Sequence, residues 1–441
     1  MGFFAKHRPD RSAAALYDSA ASRWYTYGEL YEEIDRWAER FAGSTKALAF
    51  CFARNDLTSV GAYLGALESG CAIALLPANM PPEFQTRLID AYQPEWIIDG
   101  ALRSGRTCPA PTVHPALALL LSTSGSTGSP KFVRLTLDNV QANACSIAEA
   151  LRISPSSRAI ASLPIHYSYG LSVLNSHLIR GASVVLTDEG LMSPVFWNLV
   201  REHQCESFAG VPYAYQVLDR LGLDRLNVPS IRTLTQAGGK LNPELIGKFH
   251  DVIALRGGQF FTMYGQTEAT ARIAILPPEY LPRKAGSVGF AIPGGAIRIE
   301  AGEVVYSGPN VMMGYAESRA DLSLGDVLGG TLRTGDLGHI DAEGLLYITG
   351  RLKREAKLFG LRVNLDELET IVRAHGPAAI IAGTDRVSIY CEFEETLFPA
   401  CRDELASKLR IHAQAFEFRR IERIPTNASG KVDYTALESR P

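Results

Sequence analysis

The sequence lacks the features that would carry a chain into or across a membrane. Among its 441 residues no run reaches the roughly 18–20 uninterrupted apolar positions of a spanning helix. The best candidate, residues 57–77, is broken by Glu68 and several glycines. The opening MGFFAKHRPDRS has basic residues but no apolar stretch after them, so it does not read as a signal peptide. Lys6 stands where a myristoylation signal requires Ser or Thr. Cysteine is sparse: seven (51, 71, 108, 145, 205, 391 and 401), an odd number with no CxxC pair. That argues against a disulfide framework and a structural zinc site, and for reduced, mostly buried thiols. An excess of one charge is missing too. Lys and Arg total 44 against 47 Asp and Glu, a net charge of −3, which leaves no basic surplus for wrapping nucleic acid. Repeats and low-complexity tracts are absent. What remains is a cytoplasmic globular chain, and 46% apolar residues are ample for large cores.

At about 150 residues per domain the length allows two to three domains. Residues 1–350 alternate helix-like and strand-like runs, the pattern of α/β architecture. Leu30, Tyr31, Ile34, Trp37, Ala38 and Phe41 fall on one face of a helix over residues 27–42. Short apolar runs at 47–52, 116–121, 159–163, 183–186 and 233–236 predict buried, mainly parallel strands. From Gly286 to Ile348 the chain turns Gly-rich, with β-like pieces at 296–299, 303–307, 338–341 and 345–348. Their close spacing predicts antiparallel pairing in a small barrel-like subdomain. A basic stretch, GRLKREAKLFG, then leads into a compact α+β segment. The expected division is a large domain of mixed and parallel sheets over 1–352 and a small, mobile α+β domain over 353–441.

The most informative segment is LLLSTSGSTGSPKFVRLT, residues 119–136. An apolar strand runs into a loop of Ser, Thr and Gly that ends at Pro130–Lys131. Glycines let backbone amides turn inward, hydroxyls add donors, and the lysine adds positive charge, a combination suited to polyphosphate. A Walker A loop is excluded, because Gly128 is followed by Ser129–Pro130–Lys131 rather than Lys–Ser/Thr.

Residues TSGSTGSPK resemble the phosphate loop of the adenylate-forming superfamily: acyl- and aryl-CoA synthetases, peptide-synthetase adenylation domains and luciferases. Further matches follow in that family's order: LPIHYSYGL (163–171), VPYAYQVL (211–218), AGGKL (237–241), YGQTEA (264–269), RTGDLG (333–338), GRLKREAKLFGLRVNLDELE (350–369) and PTNASGKVDY (425–434). Residues 9–16 and 26–30 resemble the family's opening. The resemblance spans nearly the whole chain. It implies ATP and Mg²⁺ as cofactors, and a carboxylic acid activated as its adenylate before transfer to a thiol. Thr123, Ser124, Gly125, Ser126, Thr127, Gly128 and Lys131 would cradle the phosphates, with Gly238 and Gly239 also at the nucleotide. By the same resemblance Tyr264 stacks on adenine beside Gly265, Thr267 meets the α-phosphate, and Glu268 holds Mg²⁺, a role a carboxylate suits. Asp336 would take the ribose hydroxyls with Arg351 beside it. Lys431 would bridge carboxylate and phosphate during adenylation, and Lys353 would be the hinge on which the small domain swings.

The substrate class follows from an absence. Amino-acid-activating relatives place an aspartate near 163–171, whereas here His166–Tyr167–Ser168–Tyr169–Gly170 contains no acid. An ammonium buried there would lack a partner, so a simple carboxylic acid is expected. His166 becomes a pocket-wall or gating residue within the catalytic set. Phe208, Val211, Tyr213, Phe261 and Met263 are expected to shape the pocket, with core packing the alternative for Phe261 and Met263. Lys240 is expected to point to water or to pair with an anionic group. The basic cluster Lys353, Arg354, Lys357 and Arg362 reads either as a solvated face or as a surface receiving an anionic pantetheine. CoA is the leading acceptor. The chain is short for the family, which keeps the phosphopantetheine of an acyl carrier protein open as the alternative. A nucleotide-binding relative without catalysis and a γ-phosphoryl transferase are the remaining readings.

Overall fold

A computed structural model describes residues 3–4, 8–43, 45–105, 112–122, 131–352, 354–358, 361–383, 386–409, 411–427 and 430–440. The chain divides into two compact units, residues 1–296 with 306–332, and residues 297–305 with 333–441. The join expected at Lys353 falls within the second unit.

The first unit is built on two large sheets. One has nine strands in the order Phe290–Ala291, Ala274–Leu276, Gln259–Tyr264, Thr233–Gln236, Ser207–Gly210, Arg158–Ile160, Ser183–Leu186, Ala14–Asp18, Arg23–Thr26. Its six central strands are parallel, and antiparallel neighbours close both ends. The other has seven strands in the order Gly314–Ala316, Phe132–Thr136, Leu117–Ser122, Ala72–Pro77, Leu48–Ala53, Trp96–Asp99, Ala101–Ser104. The expected short apolar runs are these central strands, to within a few residues. Strand Leu48–Ala53 is buried throughout, as a strand covered on both faces must be.

Helix α1 (Tyr27–Phe41) starts at a capping box in which Thr26 and Glu29 satisfy each other's backbone amides. Its stripe of Leu30, Tyr31, Ile34, Trp37 and Phe41 is buried, as the spacing predicts. Helix α2 (Leu57–Ser69) covers part of the run that was the best membrane candidate, and it is buried inside the unit instead. Gly65 lets it approach α1: a Cβ there would stand 2.9 Å from the Ile34 carbonyl oxygen. Helix α3 (Pro82–Tyr92) follows. Helices α4 (Leu137–Ala150) and α5 (Ser168–Leu178) pack on each other, α4 also against the seven-stranded sheet and α5 against the nine-stranded one. No helix among the described residues is long and apolar enough to cross a membrane.

The Phe208 ring is buried and packs with Phe196, Trp197 and Tyr215. Five of the six described cysteines are buried, and Cys145 is exposed.

The Gly-rich stretch forms a four-stranded sheet, Ala296–Glu300, Glu303–Ser307, Thr331–Ile340 and Leu346–Arg351, most of whose residues belong to the second unit. Ala301 and Gly302 both take positive φ, 49° and 84°, the geometry of a tight hairpin turn. Further along, helix Leu365–Arg373 and a three-stranded sheet bury Leu368, Val372, Ile380, Ile389 and Leu405 around one core. The basic cluster is corrected at Arg354. Its guanidinium is paired with Asp366 and, at 2.7 Å, with Glu369, donates to the Ile380 carbonyl at 2.7 Å, and lies 4.0 Å from the Tyr434 ring centroid. A cation satisfied on all sides inside its own unit is unavailable to a pantetheine. Lys353 and the side chains of Lys357 and Arg362 lie outside the described residues.

Candidate active site

In the first unit the sheet register builds the site. Strands Leu117–Ser122 and Phe132–Thr136 are antiparallel neighbours, with Ser122 opposite Phe132. The loop between them, with Thr123, Ser124, Gly125, Ser126, Thr127 and Gly128, lies outside the described residues. Lys131 stands at its downstream end, one residue before the strand. On the other side of that strand pairs Gly314–Ala316, with Tyr315 opposite Val133. This brings Tyr315 beside Lys131, whose ammonium lies 3.6 Å from the ring centroid, a cation–π contact.

The same tyrosine donates its hydroxyl proton to Glu268 Oε1 at 2.7 Å. Burial and the Glu268 carboxylate push the Tyr315 phenol above its ordinary range, so it remains a donor. Glu268 is further fixed through its backbone carbonyl, which accepts from Met312 N at 2.9 Å. Arg134, buried beneath, donates to the Tyr315 carbonyl at 3.1 Å. Tyr315 therefore sets the spacing between the lysine expected at the phosphates and the glutamate expected at the metal. It carries no motif signature in the sequence. Only its register on the strand after Lys131 reveals it.

Thr267 and Glu268 lie just past the end of strand Gln259–Tyr264, in a tight turn that requires Gly265. A Cβ at 265 would stand 1.8 Å from the Ala271 carbonyl oxygen. Thr270 in this turn has φ 63°, a strained value for a β-branched residue, and its hydroxyl is held by the Asn310 carbonyl at 2.7 Å. Tyr264 is half-buried at the strand end. Thr267 is buried, with Oγ1 3.1 Å from Ser168 Oγ at the start of α5. The turn and the segment at 163–171 thus meet.

His166 lies in that segment, two residues before Ser168. Burial pushes its imidazole down to about 4, and its buried Nδ1 has no hydrogen-bond partner among the described residues. A ring held neutral by burial fits a pocket wall better than a proton acceptor poised near neutrality. At the end of strand Thr233–Gln236, Gly238 has φ 84°, and the Gly239 carbonyl accepts from Gln236 Nε2 at 2.7 Å. Lys240 is exposed, in keeping with its pointing to water.

In the second unit Asp336 and Arg351 are cross-strand partners, joined from Arg351 Nε to Asp336 Oδ1 at 3.2 Å. Asp336 is buried while the Arg351 side chain is mostly exposed. Lys431 sits on a tight turn closed by Asn427, whose Oδ1 accepts from Lys431 N at 3.1 Å and whose N donates to the Lys431 carbonyl at 2.8 Å. Gly430 supplies the positive φ, 71°, before it. Lys353 lies outside the described residues.

Arg272 is absent from the expected set. It follows the Thr267 turn and is 2% exposed, with its guanidinium 4.6 Å from the Tyr169 ring centroid. No spacing rule singles it out.

These elements have counterparts in known proteins. Residues 101–316 match the model of the family described as AMP-binding enzyme. The chain is 31% identical over 343 residues to a 2-succinylbenzoate–CoA ligase of Bacillus subtilis, covering 72% of this chain and 68% of that protein. It is 31% identical over 357 residues to a sulfoacetate–CoA ligase of Cupriavidus necator, covering 75% of this chain and 68% of the relative. The o-succinylbenzoate CoA synthetase of Bacillus subtilis, solved in complex with its acyl-adenylate intermediate, superposes with a TM-score of 0.79 at 24% identity, covering 98% of this chain and 96% of that one. On this identity and coverage the chain belongs to the AMP-binding enzyme family.

Proposed function

We propose that this chain is an AMP-forming acid–thiol ligase. It activates a carboxylic acid that lacks an α-ammonium group, releases pyrophosphate, and transfers the acyl group to CoA with release of AMP. The observation that carries this reading is the Lys131–Tyr315–Glu268 assembly, a cation and a carboxylate held apart by one phenol, with the lysine directly following the Ser/Gly-rich segment in sequence. The CoA ligases that are its relatives support CoA rather than a carrier protein as acceptor. Their acids, 2-succinylbenzoate and sulfoacetate, support a small organic acid.

In the first half-reaction a carboxylate oxygen attacks the α-phosphorus of ATP, and the bond to the pyrophosphate oxygen breaks. Negative charge accumulates there, and pre-placed donors lower that barrier. Lys131 balances charge on the departing phosphates, and the Thr267 hydroxyl donates to the α-phosphate. Glu268, half-buried, is the carboxylate that would hold Mg²⁺, which supplies further charge neutralisation when bound; a carboxylate oxygen suits a hard cation. Asp336 accepts from the ribose hydroxyls, oriented by Arg351, and Tyr264 offers a flat face to adenine. Lys431 donates to carboxylate and phosphate together. In the second half-reaction the thiol sulfur attacks the acyl carbon, AMP leaves, and the thiol proton passes to solvent. Rotation about Lys353 withdraws Lys431 between the two steps. The cytoplasm, where ATP and CoA are abundant, suits this chemistry.

The reading is tested by pyrophosphate exchange with two sets of acids. Simple organic acids should support exchange and α-amino acids should not. Robust exchange with amino acids would overturn the substrate class.

A further inference from the structure

Arg272 is among the largest fully buried side chains of the molecule, yet it is poorly satisfied. Its guanidinium offers five N–H donors. Among the described residues its side chain forms one hydrogen bond, Nη2 to Ser172 Oγ at 3.5 Å, and the buried Nε has no acceptor there. No carboxylate pairs with it there; the ionisable groups nearest in effect are the phenols of Tyr169 and Tyr167, and burial lowers its affinity for a proton. The backbone is fixed all the same. Arg272 N donates to Asn143 Oδ1 at 3.3 Å, and its carbonyl accepts from Asn143 and Asn310 at 3.1 and 2.9 Å. A rigidly held, buried and unneutralised cation is costly to the fold, and such a cost persists when a ligand offsets it.

The surroundings point to the ligand. Thr267 contacts Ser168, and Arg272 contacts Ser172. Ser168 and Ser172 stand four residues apart on α5, about 6 Å along the helix axis. Thr267, assigned to the α-phosphate that the carboxylate attacks, and Arg272 thus contact α5 one turn apart, a spacing on the scale of a short acid. We infer that Arg272 receives a second anionic group of the acid substrate, so that the substrate class is short dianionic acids, dicarboxylic or sulfonated, with the second charge a few carbon atoms from the carboxyl that is activated. The inference rests on the ligase reading and extends it. The planar fork of an arginine is the side chain suited to hold a carboxylate or sulfonate through two hydrogen bonds.

The test measures acid-dependent AMP formation with malonate, succinate, glutarate and 3-sulfopropionate, each dicarboxylate set against its monomethyl ester. The wild-type enzyme should prefer at least one dianion over its monoanionic counterpart by roughly 30-fold or more in kcat/KM, the scale of a desolvated charge pair. In Arg272→Met that preference should collapse while activity with the monoesters holds. Arg272→Lys, which keeps the charge and loses the fork, should fall between. Ester and dianion used equally by the wild type would overturn the inference with the ligase reading intact, as would equal losses on both in Arg272→Met. No AMP from any acid would instead count against the ligase reading. If Arg272→Met fails to fold, the wild-type ratio and the lysine variant decide the matter.

Discussion

Arg134 and Arg272 are both fully buried in the first unit, and their surroundings are opposite. Arg134 is wrapped by carbonyls: it donates to those of Tyr315 at 3.1 Å, Gly325 at 3.3 Å and Met313 at 3.4 Å, and to that of Leu324. Arg272 meets a phenol face and one distant hydroxyl. The other deeply placed arginines resemble Arg134. Arg319 is paired with Glu95 at 2.7 Å, and Arg354 with Glu369 and Asp366. The satisfied arginines fasten one segment to another, and Arg134 fastens the strand that presents Tyr315. The under-satisfied one touches α5 only through a long bond to Ser172 and the face of Tyr169. Burial alone therefore does not distinguish a structural cation from one that awaits a ligand; the count of acceptors around it does.

This contrast can be broken by mutation. Arg354→Met should have the largest effect, because it removes one of the two guanidinium partners of Glu369, whose side chain is 2% exposed, leaving Arg373 at 2.6 Å, and it also strips Asp366 of its pair. Losing one member of an isolated buried pair costs about 3–5 kcal/mol, and with Arg373 retained the loss should lie at or below the lower end of that range, read as a lower urea midpoint. The same change at Arg272 should leave the midpoint nearly unmoved or raised, since it orphans no carboxylate. Equal destabilisation at both positions would erase the distinction.

Lys431 presents a third way of carrying a cation, on a turn rather than in a core. Lys431→Ala should lower adenylate formation by about 10²–10³, the loss typical of one charge-stabilising donor, with folding unchanged. Thioester formation from preformed acyl-adenylate should fall much less. Equal loss in both half-reactions would contradict the rotating-domain picture.

Tyr315→Phe keeps the ring under Lys131 but removes the proton donated to Glu268. An order-of-magnitude rise in the Mg²⁺ and ATP concentrations needed for half-maximal rate is expected, on the order of one charge-assisted hydrogen bond. Tyr315→Leu, which removes the ring as well, should do worse. Identical behaviour of the two variants would show that the phenol and not the ring carries the effect.

The smallest effect is a dependence on pH. Burial pushes both His166 and His177 down to about 4. The unfolded chain takes up these protons near the ordinary value of about 6.5, and the folded chain does not until pH 4. Stability is therefore full above about pH 6.5 and declines as pH falls towards 4. His177, whose Nδ1 is 2.8 Å from the Val173 carbonyl, can be replaced by Gln to test this. The slope of melting temperature against pH between 4 and 6.5 should become shallower.

Much of the fold was legible in the sequence because the central strands are short runs of uniformly apolar residues, which only a doubly covered sheet tolerates. Helix α1 was legible because its stripe and its Thr26 cap agree. Of the site, the residues named from motifs fall in a turn, Thr267 and Glu268, or inside a strand, Asp336 opposite Arg351. Arg354 was misread because a charge run gives no sign of its partners: Asp366 and Glu369 lie a turn and a strand further on. Tyr315 and Arg272 were invisible for a related reason. Each owes its place to strand register or a strained turn, which join residues far apart in the chain.

The most direct test of the central claim is the nucleotide product. With ATP, Mg²⁺, CoA and a panel of small organic acids, the enzyme should release AMP and pyrophosphate in an acid-dependent manner, with hydroxylamine trapping the activated acyl group when CoA is omitted. Release of ADP and inorganic phosphate would contradict the account, and so would acid-independent turnover.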